Sequence, residues 1–201
     1  MPRLVLGSRN KKKLREMVDL LGELGLDLTD LTPYPDAPEV DETATTFVGN
    51  ATLKAVTLAP VLREWVIGED SGLVVPALGG APGVYSARYA GTHGDDAANN
   101  AKLLAELAPY SGADRGAYYV STAVLADPTG TVLASVEGRC HGVIVTERRG
   151  TGGFGYDPLF LVPEYGKTFG ELSPEVKQSM SHRARAFGQL REVLQRIVNC
   201  Q

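Results

Sequence analysis

The run Trp65-Val66-Ile67-Gly68-Glu69-Asp70-Ser71-Gly72-Leu73 constrains the fold more than any other stretch of this chain. Its apolar start is β-rich and short, which predicts a buried strand over residues 66–69. That strand would carry two adjacent carboxylates, Glu69 and Asp70, to a point where Ser71 and Gly72 predict a turn. In α/β proteins, ligands sit outside the carboxyl ends of strands. Two acids at such an end suit a divalent cation, a general base, or both. An isolated Glu-Asp pair is more simply a solvated strand terminus. This pair is not isolated, because a lysine-rich segment precedes it and a glycine-rich aromatic loop follows it.

The rest of the pattern supplies strands and helices in alternation. Residues 3–7 read as a buried strand, and Ser8 and Asn10 are good N-cap residues for the helix that Leu14, Met17, Val18, Leu21 and Leu24 define. Gly25 is its expected stop. A second strand is expected over 26–31, a proline loop over 32–38, and a helix over 45–62. Gly79-Gly80-Ala81-Pro82-Gly83 is a turn-rich loop, and Asp95 or Asp96 caps a helix ending near Leu107. Strands are expected over 118–126, 132–137 and 143–146, with Asp127-Pro128-Thr129-Gly130 turning between the first two. Ser173-Pro174 reads as an N-cap with proline at the first helical position, and an amphipathic helix closes the chain over 182–198. Early alternation with a central β-meander favours a mixed sheet flanked by helices, an α/β protein.

Composition narrows the function. The 201 residues suffice for one large domain with a hydrophobic core. A net charge of −4 lacks the basic footprint of a nucleic-acid binder, while the local cluster Lys11-Lys12-Lys13 suits a small anion. The two cysteines, Cys140 and Cys200, make no disulfide framework, so a reducing cytoplasm is expected. The apolar run at the N-terminus is too short for a signal peptide, and no stretch reaches the length of a membrane span.

Four constellations carry chemistry. Gly7-Ser8-Arg9-Asn10-Lys11-Lys12-Lys13 joins a strand to a helix, where free N–H groups and lysines attract anions. It is not a Walker A loop, because the second glycine and the Lys-Ser/Thr pair are missing. Alone it reads better as a capped helix with a solvated basic turn, although lysines there oppose the helix dipole. In the helix of Phe47, Ala51, Ala55, Leu58 and Leu62, Lys54 falls on the apolar face at the helical period. It either snorkels past the core edge or points into a cleft of phosphates and acids. Glu42, just before that helix, could join Glu69 or Asp70 around a hard cation. Gly150-Thr151-Gly152-Gly153-Phe154-Gly155-Tyr156-Asp157-Pro158 matches G-x-G-x-x-G formally, but Pro158 argues against the helix a dinucleotide site needs. It reads instead as a base-binding loop or as a wide hairpin with Phe154 in the core. Lys177, Ser181, His182 and Arg183 form the fourth group, with Lys177 and Arg183 as donors for a carbonyl or, more plainly, as solvated helix charges. His93 and His141 lack ligand spacing.

Taken in order, Ser8-x-Asn10-x-x-Lys13, Phe47-x-x-Asn50-Ala51-x-x-Lys54-Ala55, Asp70-Ser71-Gly72-Leu73, residues 79–88, Gly152-Gly153-Phe154-Gly155-Tyr156-Asp157-Pro158 and Ser181-His182-Arg183 resemble the inosine/xanthosine triphosphate (dITP/XTP) pyrophosphatases. The resemblance spans nearly the whole chain. It implies a single domain over 1–201, α/β and two-lobed, with a long mixed sheet flanked by helices and the active-site cleft between the lobes. It further implies a homodimer and Mg²⁺-dependent hydrolysis of ITP, dITP or XTP to the monophosphate and pyrophosphate. On this resemblance Ser8, Arg9, Asn10, Lys11, Lys12 and Lys13 bind the triphosphate. Asp70 is proton acceptor and metal ligand, Glu42 a second metal ligand, Lys54 a catalytic cation, and Ser71 a substrate contact. Phe154, Gly155, Tyr156, Asp157, Lys177, His182 and Arg183 hold the base. Ser8 stands where threonine is common, Glu69 where aspartate is frequent, and Ala184 where glycine often follows His-Arg.

Two other readings compete. A Maf-type nucleotide pyrophosphatase would prefer other bases, and the Phe154–Asp157 loop with Ser181-His182-Arg183 argues against it. A nucleotide sensor without hydrolysis would need neither the base Asp70 nor Glu42 and Lys54.

Overall fold

The computed structural model describes residues 3–199. Met1, Pro2, Cys200 and Gln201 lie outside them, and with them the start of the N-terminal apolar run and the second cysteine. The sheet is mixed and seven-stranded, in the order β2-β1-β3-β4-β5-β6-β7. Its strands are β1 (Arg3–Leu6), β2 (Asp27–Thr29), β3 (Trp65–Val74), β4 (Gly116–Ala126), β5 (Val132–Ile144), β6 (Phe160–Val162) and β7 (Lys167–Thr168). The helices are α1 (Lys11–Leu21), α2 (Phe47–Leu62), α3 (Asp96–Glu106), α4 (Pro174–Met180) and α5 (His182–Asn199). β1 pairs in parallel with β2 and β3, whereas β6 pairs antiparallel with β5 and β7.

The chain divides into two compact units. The first comprises the described parts of Met1–Asp70, Ser121–Gly138 and His182–Gln201; the second comprises Ser71–Val120 and Arg139–Ser181. In the first unit β1 is buried on both faces, which is why its sequence is a continuous apolar run. Leu4 and Leu6 join Met17, Leu21, Phe187 and Leu190, while Val5 joins Ala51, Ala55 and Leu58 of α2. The second unit has its own core around Leu103, Leu107, Tyr119, Phe160 and Phe169, with the Tyr119 and Phe160 rings 4.8 Å apart.

Three expectations need correction. β3 does not end at Glu69 but runs on through Ser71 and Gly72 to Val74. The apolar residues beyond, Leu73 and Val75, are fully buried, and their burial outweighs the local turn preference of Ser-Gly. The strands expected over 132–137 and 143–146 form one strand, β5, which crosses Gly138 and Gly142 without a break. The second strand is trimmed to Asp27–Thr29. Asn10, Thr46, Asp95 and Ser173 cap α1, α2, α3 and α4 with side-chain hydrogen bonds.

Candidate active site

Alternation along β3 organises the acidic part of the site. Val66, Gly68 and Asp70 point toward α2, whereas Ile67 and Glu69 point toward α1 and α5. Gly68 permits the approach to α2, because a Cβ there would overlap the Ala51 carbonyl oxygen. The two adjacent carboxylates therefore serve opposite faces of the sheet. Asp70 shares Lys54 with Glu42, whereas the Glu69 carboxylate faces Lys13 and Arg183.

On the α2 face, Asn50 Nδ2 donates to Asp70 Oδ2 at 3.1 Å, and Lys54 Nζ lies 3.6 Å from Asp70 Oδ1. The same ammonium lies 2.7 Å from Glu42 Oε1 and donates to the Glu69 carbonyl at 3.2 Å. Lys54, read from its helical position as inward-facing, is buried. Burial alone would lower its pKa, but the carboxylates of Asp70 and Glu42 more than offset this and raise it. Asp70 goes the other way for a carboxylate. Burial pushes its pKa up, and Lys54 only partly opposes the rise.

On the α1/α5 face, Glu69 is 2% exposed. It meets Lys13 Nζ at 2.6 Å and Arg183 Nε at 3.1 Å, and accepts from Ser121 Oγ at 2.8 Å. Burial opposes its ionisation, yet Lys13 and Arg183 hold its carboxyl well below the usual range. Arg183 also pairs with Glu16 at 2.9 Å.

The loop between β1 and α1 is more self-contained than its sequence suggests. Asn10 Oδ1 accepts from the N–H groups of Lys12 and Lys13, and Ser8 Oγ accepts from Asn10 N. Arg9 donates to carbonyls of the proline loop at Tyr34, Pro35 and Ala37. Lys11 and Lys12 are exposed, and Ser71 is half-buried on β3.

In the second unit the glycine-rich loop leads through turns into β6 and not into a helix, as Pro158 required. Asp157 Oδ2 accepts from Phe154 N at 2.9 Å and meets Lys177 Nζ at 2.7 Å. That ammonium lies 5.0 Å from the Phe154 ring centre, a cation–π distance. Asp157 is therefore the organiser of the loop. The Tyr156 side chain packs in the core and donates its hydroxyl to the Ser86 carbonyl at 2.8 Å. Burial pushes that hydroxyl pKa up. Lys177 and Arg183, expected to act on one carbonyl, belong to different units, and each has carboxylate partners of its own. His182 is buried at the start of α5.

Sequence reasoning missed the hydrogen bonds from α3 to Gly155, made by Asp96 and Asn100. Consecutive asparagines inside a helix, poor helix formers both, were the available signal. It also missed Arg115, buried and donating to the carbonyls of Leu107, Ile144 and Val145.

Fold and side chains together define an α/β protein with a buried lysine between the buried Asp70 and the half-buried Glu42, and an aromatic–lysine loop. A family model described as the Ham1 family matches residues 4–193. The chain belongs to the Ham1 family. The dITP/XTP pyrophosphatase of Rhodopirellula baltica is 55% identical over 183 residues, covering 91% of this chain and 88% of that protein. That of Desulforamulus reducens is 46% identical over 195 residues, covering 97% of this chain and 96% of its own. The structure of a HAM1 protein from Coxiella burnetii matches with a TM-score of 0.89 at 39% identity, covering 98% of this chain and all of that one.

Proposed function

We propose that this chain is a nucleoside triphosphate pyrophosphohydrolase that hydrolyses the deaminated purine nucleotides dITP, ITP and XTP to the monophosphate and pyrophosphate. The similarity to dITP/XTP pyrophosphatases over nearly the full chain supports the activity. The observation that carries the chemistry is Lys54 between Glu42 and Asp70 on one face of β3.

In this reading Ser8, Arg9 and Asn10 with Lys11, Lys12 and Lys13 hold the triphosphate, and Ser71 touches it. Asp70 takes a proton from water as the water oxygen attacks the α-phosphorus. The α–β bridging bond breaks, and pyrophosphate leaves with the electron pair. Burial raises the basicity of Asp70 and so suits it to the proton. Lys54 keeps Asp70 and Glu42 together and opposes the charge that develops on phosphate. Glu42 and Asp70 fit a hard cation, since both already share one positive charge through Lys54. Among the described residues no three His, Cys, Asp or Glu cluster as a metal cage. Mg²⁺ typically uses one or two carboxylates with substrate phosphates. When bound, it would neutralise phosphate charge.

Phe154 stacks on the base, and Lys177 donates to the 6-oxo group that hypoxanthine and xanthine share. The resemblance also assigns His182 and Arg183 to the base, and Arg183 is oriented by Glu69 and Glu16. A homodimer in the cytoplasm belongs to the same reading. No helix among the described residues is long and apolar enough to cross a membrane.

The test is pyrophosphate release with Mg²⁺ from ITP, dITP, XTP, ATP, UTP and dTTP. The purine 6-oxo substrates should dominate. Preference for UTP or dTTP would favour a Maf-type activity, binding without release would favour a sensor, and full activity after exhaustive chelation would overturn the metal assignments of Glu42 and Asp70.

A further inference from the structure

Gly155 lies in the middle of the Phe154–Asp157 loop with φ at +61°, a left-handed conformation that glycine adopts without steric cost. Both of its backbone polar groups are held by α3. Its N–H donates to Asp96 Oδ2 at 2.8 Å, and its carbonyl accepts from Asn100 Nδ2 at 2.8 Å. Asp96 and Asn100 are four residues apart, so they project from the same side of the helix. Asp96 suits the first turn of its helix and Asn100 also donates to the Asp96 carbonyl, yet both reach beyond the helix to Gly155. The N-cap of α3 is already filled by Asp95, which accepts from Ala98 N. Asn100 is 1% exposed beside the core positions Leu103 and Leu107, where leucine would suit both helix and core better. Its amide nitrogen faces two carbonyls, those of Asp96 and Gly155, which fixes its orientation.

What the hold controls follows from the neighbours of Gly155. The N–H of Phe154 and the ammonium of Lys177 both meet Asp157 Oδ2. A peptide that rotates at Gly155 therefore shifts the stacking ring and the lysine's anchor together.

We propose that Asp96 and Asn100 are positioning residues that set base specificity by clamping Gly155 from both sides. The proposal rests on the reading of Phe154–Asp157 as the base loop. It acts on recognition and leaves the chemistry at Asp70 alone.

The experiment compares Asp96→Ala, Asn100→Leu and the conservative Asp96→Asn with Phe154→Ala, measuring kcat and KM for ITP and ATP together with Tm. Asn100→Leu keeps a side chain of similar size at this buried position and guards against simple loss of fold. Asp96→Ala and Asn100→Leu should raise the KM for ITP about tenfold, keep kcat within about twofold, and lower the ITP-over-ATP preference about tenfold, as a displaced positioning group does. Asp96→Asn, which still offers an acceptor, should recover most of the preference. Phe154→Ala should raise KM for both nucleotides and leave their ratio unchanged, because stacking tolerates any base. If Phe154→Ala acts so while Asp96→Ala and Asn100→Leu keep wild-type KM and preference, the clamp is wrong and the base loop stands. If Phe154→Ala leaves KM untouched, the base is held elsewhere and the clamp falls with it. Equal losses of kcat for both nucleotides with a lower Tm would reduce Asp96 and Asn100 to scaffold.

Discussion

The two faces of β3 solve opposite problems with adjacent acids. Glu69, between Lys13 and Arg183, is buried and held ionised by these two cations. Asp70, facing α2, is buried and under-compensated, so its ionised form costs free energy even beside Lys54. The first arrangement suits an anchor that keeps α1, β3 and α5 in register. The second suits a group that must accept a proton and share a cation. One residue step along the strand, about 3.3 Å, separates the carboxylate held by two cations from the one proposed to do the chemistry, because alternation sends them to different neighbours.

Glu69→Gln should break this comparison most severely. It leaves the buried Arg183 and the half-buried Lys13 with less counter-charge, and removing one partner of a buried pair costs on the order of 3 kcal/mol. A Tm close to wild type would show that Glu16 and solvent compensate Arg183 and Lys13 without it. Asp70→Asn should do the reverse. Turnover should fall by about a hundredfold or more, as for loss of a base that also binds metal. Its stability should hold or rise at neutral pH, since the variant removes a charge that burial disfavours. A stable, active Asp70→Asn protein would move the proton acceptor to another acid.

How far this was legible beforehand varies with the kind of signal. The inward position of Lys54 followed from helical spacing, and the caps at Asn10, Asp95 and Ser173 from side-chain chemistry. The rejection of a dinucleotide loop followed from Pro158. The split of Glu69 and Asp70 did not emerge, because Ser71-Gly72 reads locally as a turn and only the burial of Leu73 and Val75 extends the strand. Long-range partners were invisible for the same reason. Nothing near residue 69 announces Ser121 or Arg183, and nothing near Gly155 announces Asp96. Nothing beside Phe154 announces that the Tyr156 ring packs into the second unit's core.

Acid titration sharpens the contrast. The folded-state pKa of Glu69 is lowered, so its stabilisation is complete above the ordinary glutamate value and is lost as pH falls through the folded one. The folded-state pKa of Asp70 is raised, so its contribution is present below the ordinary aspartate value and lost as pH rises through the folded one. Metal-free protein should therefore lose stability in mild acid less steeply than the Asp70→Asn variant, which lacks the opposing term. Thermal melts of the two across the acid range measure this, and parallel curves would place the ionisation of Asp70 at an ordinary carboxylate value.

The smallest effect tests whether the Glu69 face is separate from the chemistry at all. Ser121 Oγ donates to Glu69 Oε1 at 2.8 Å and is fully buried. Ser121→Ala removes that donor and leaves Lys13 and Arg183 in place. A hydrogen bond to a charged group is worth roughly 1.5–3 kcal/mol when lost outright. Here the two ion pairs limit the cost, and about 1 kcal/mol is expected, near the low end for a buried donor. Turnover should stay within about twofold of wild type, because no reacting group is displaced. If Ser121→Ala instead lowers kcat strongly with Tm preserved, Glu69 takes part in the reaction. The division of labour between the two faces of β3 would then give way to a single acidic centre working through the sheet.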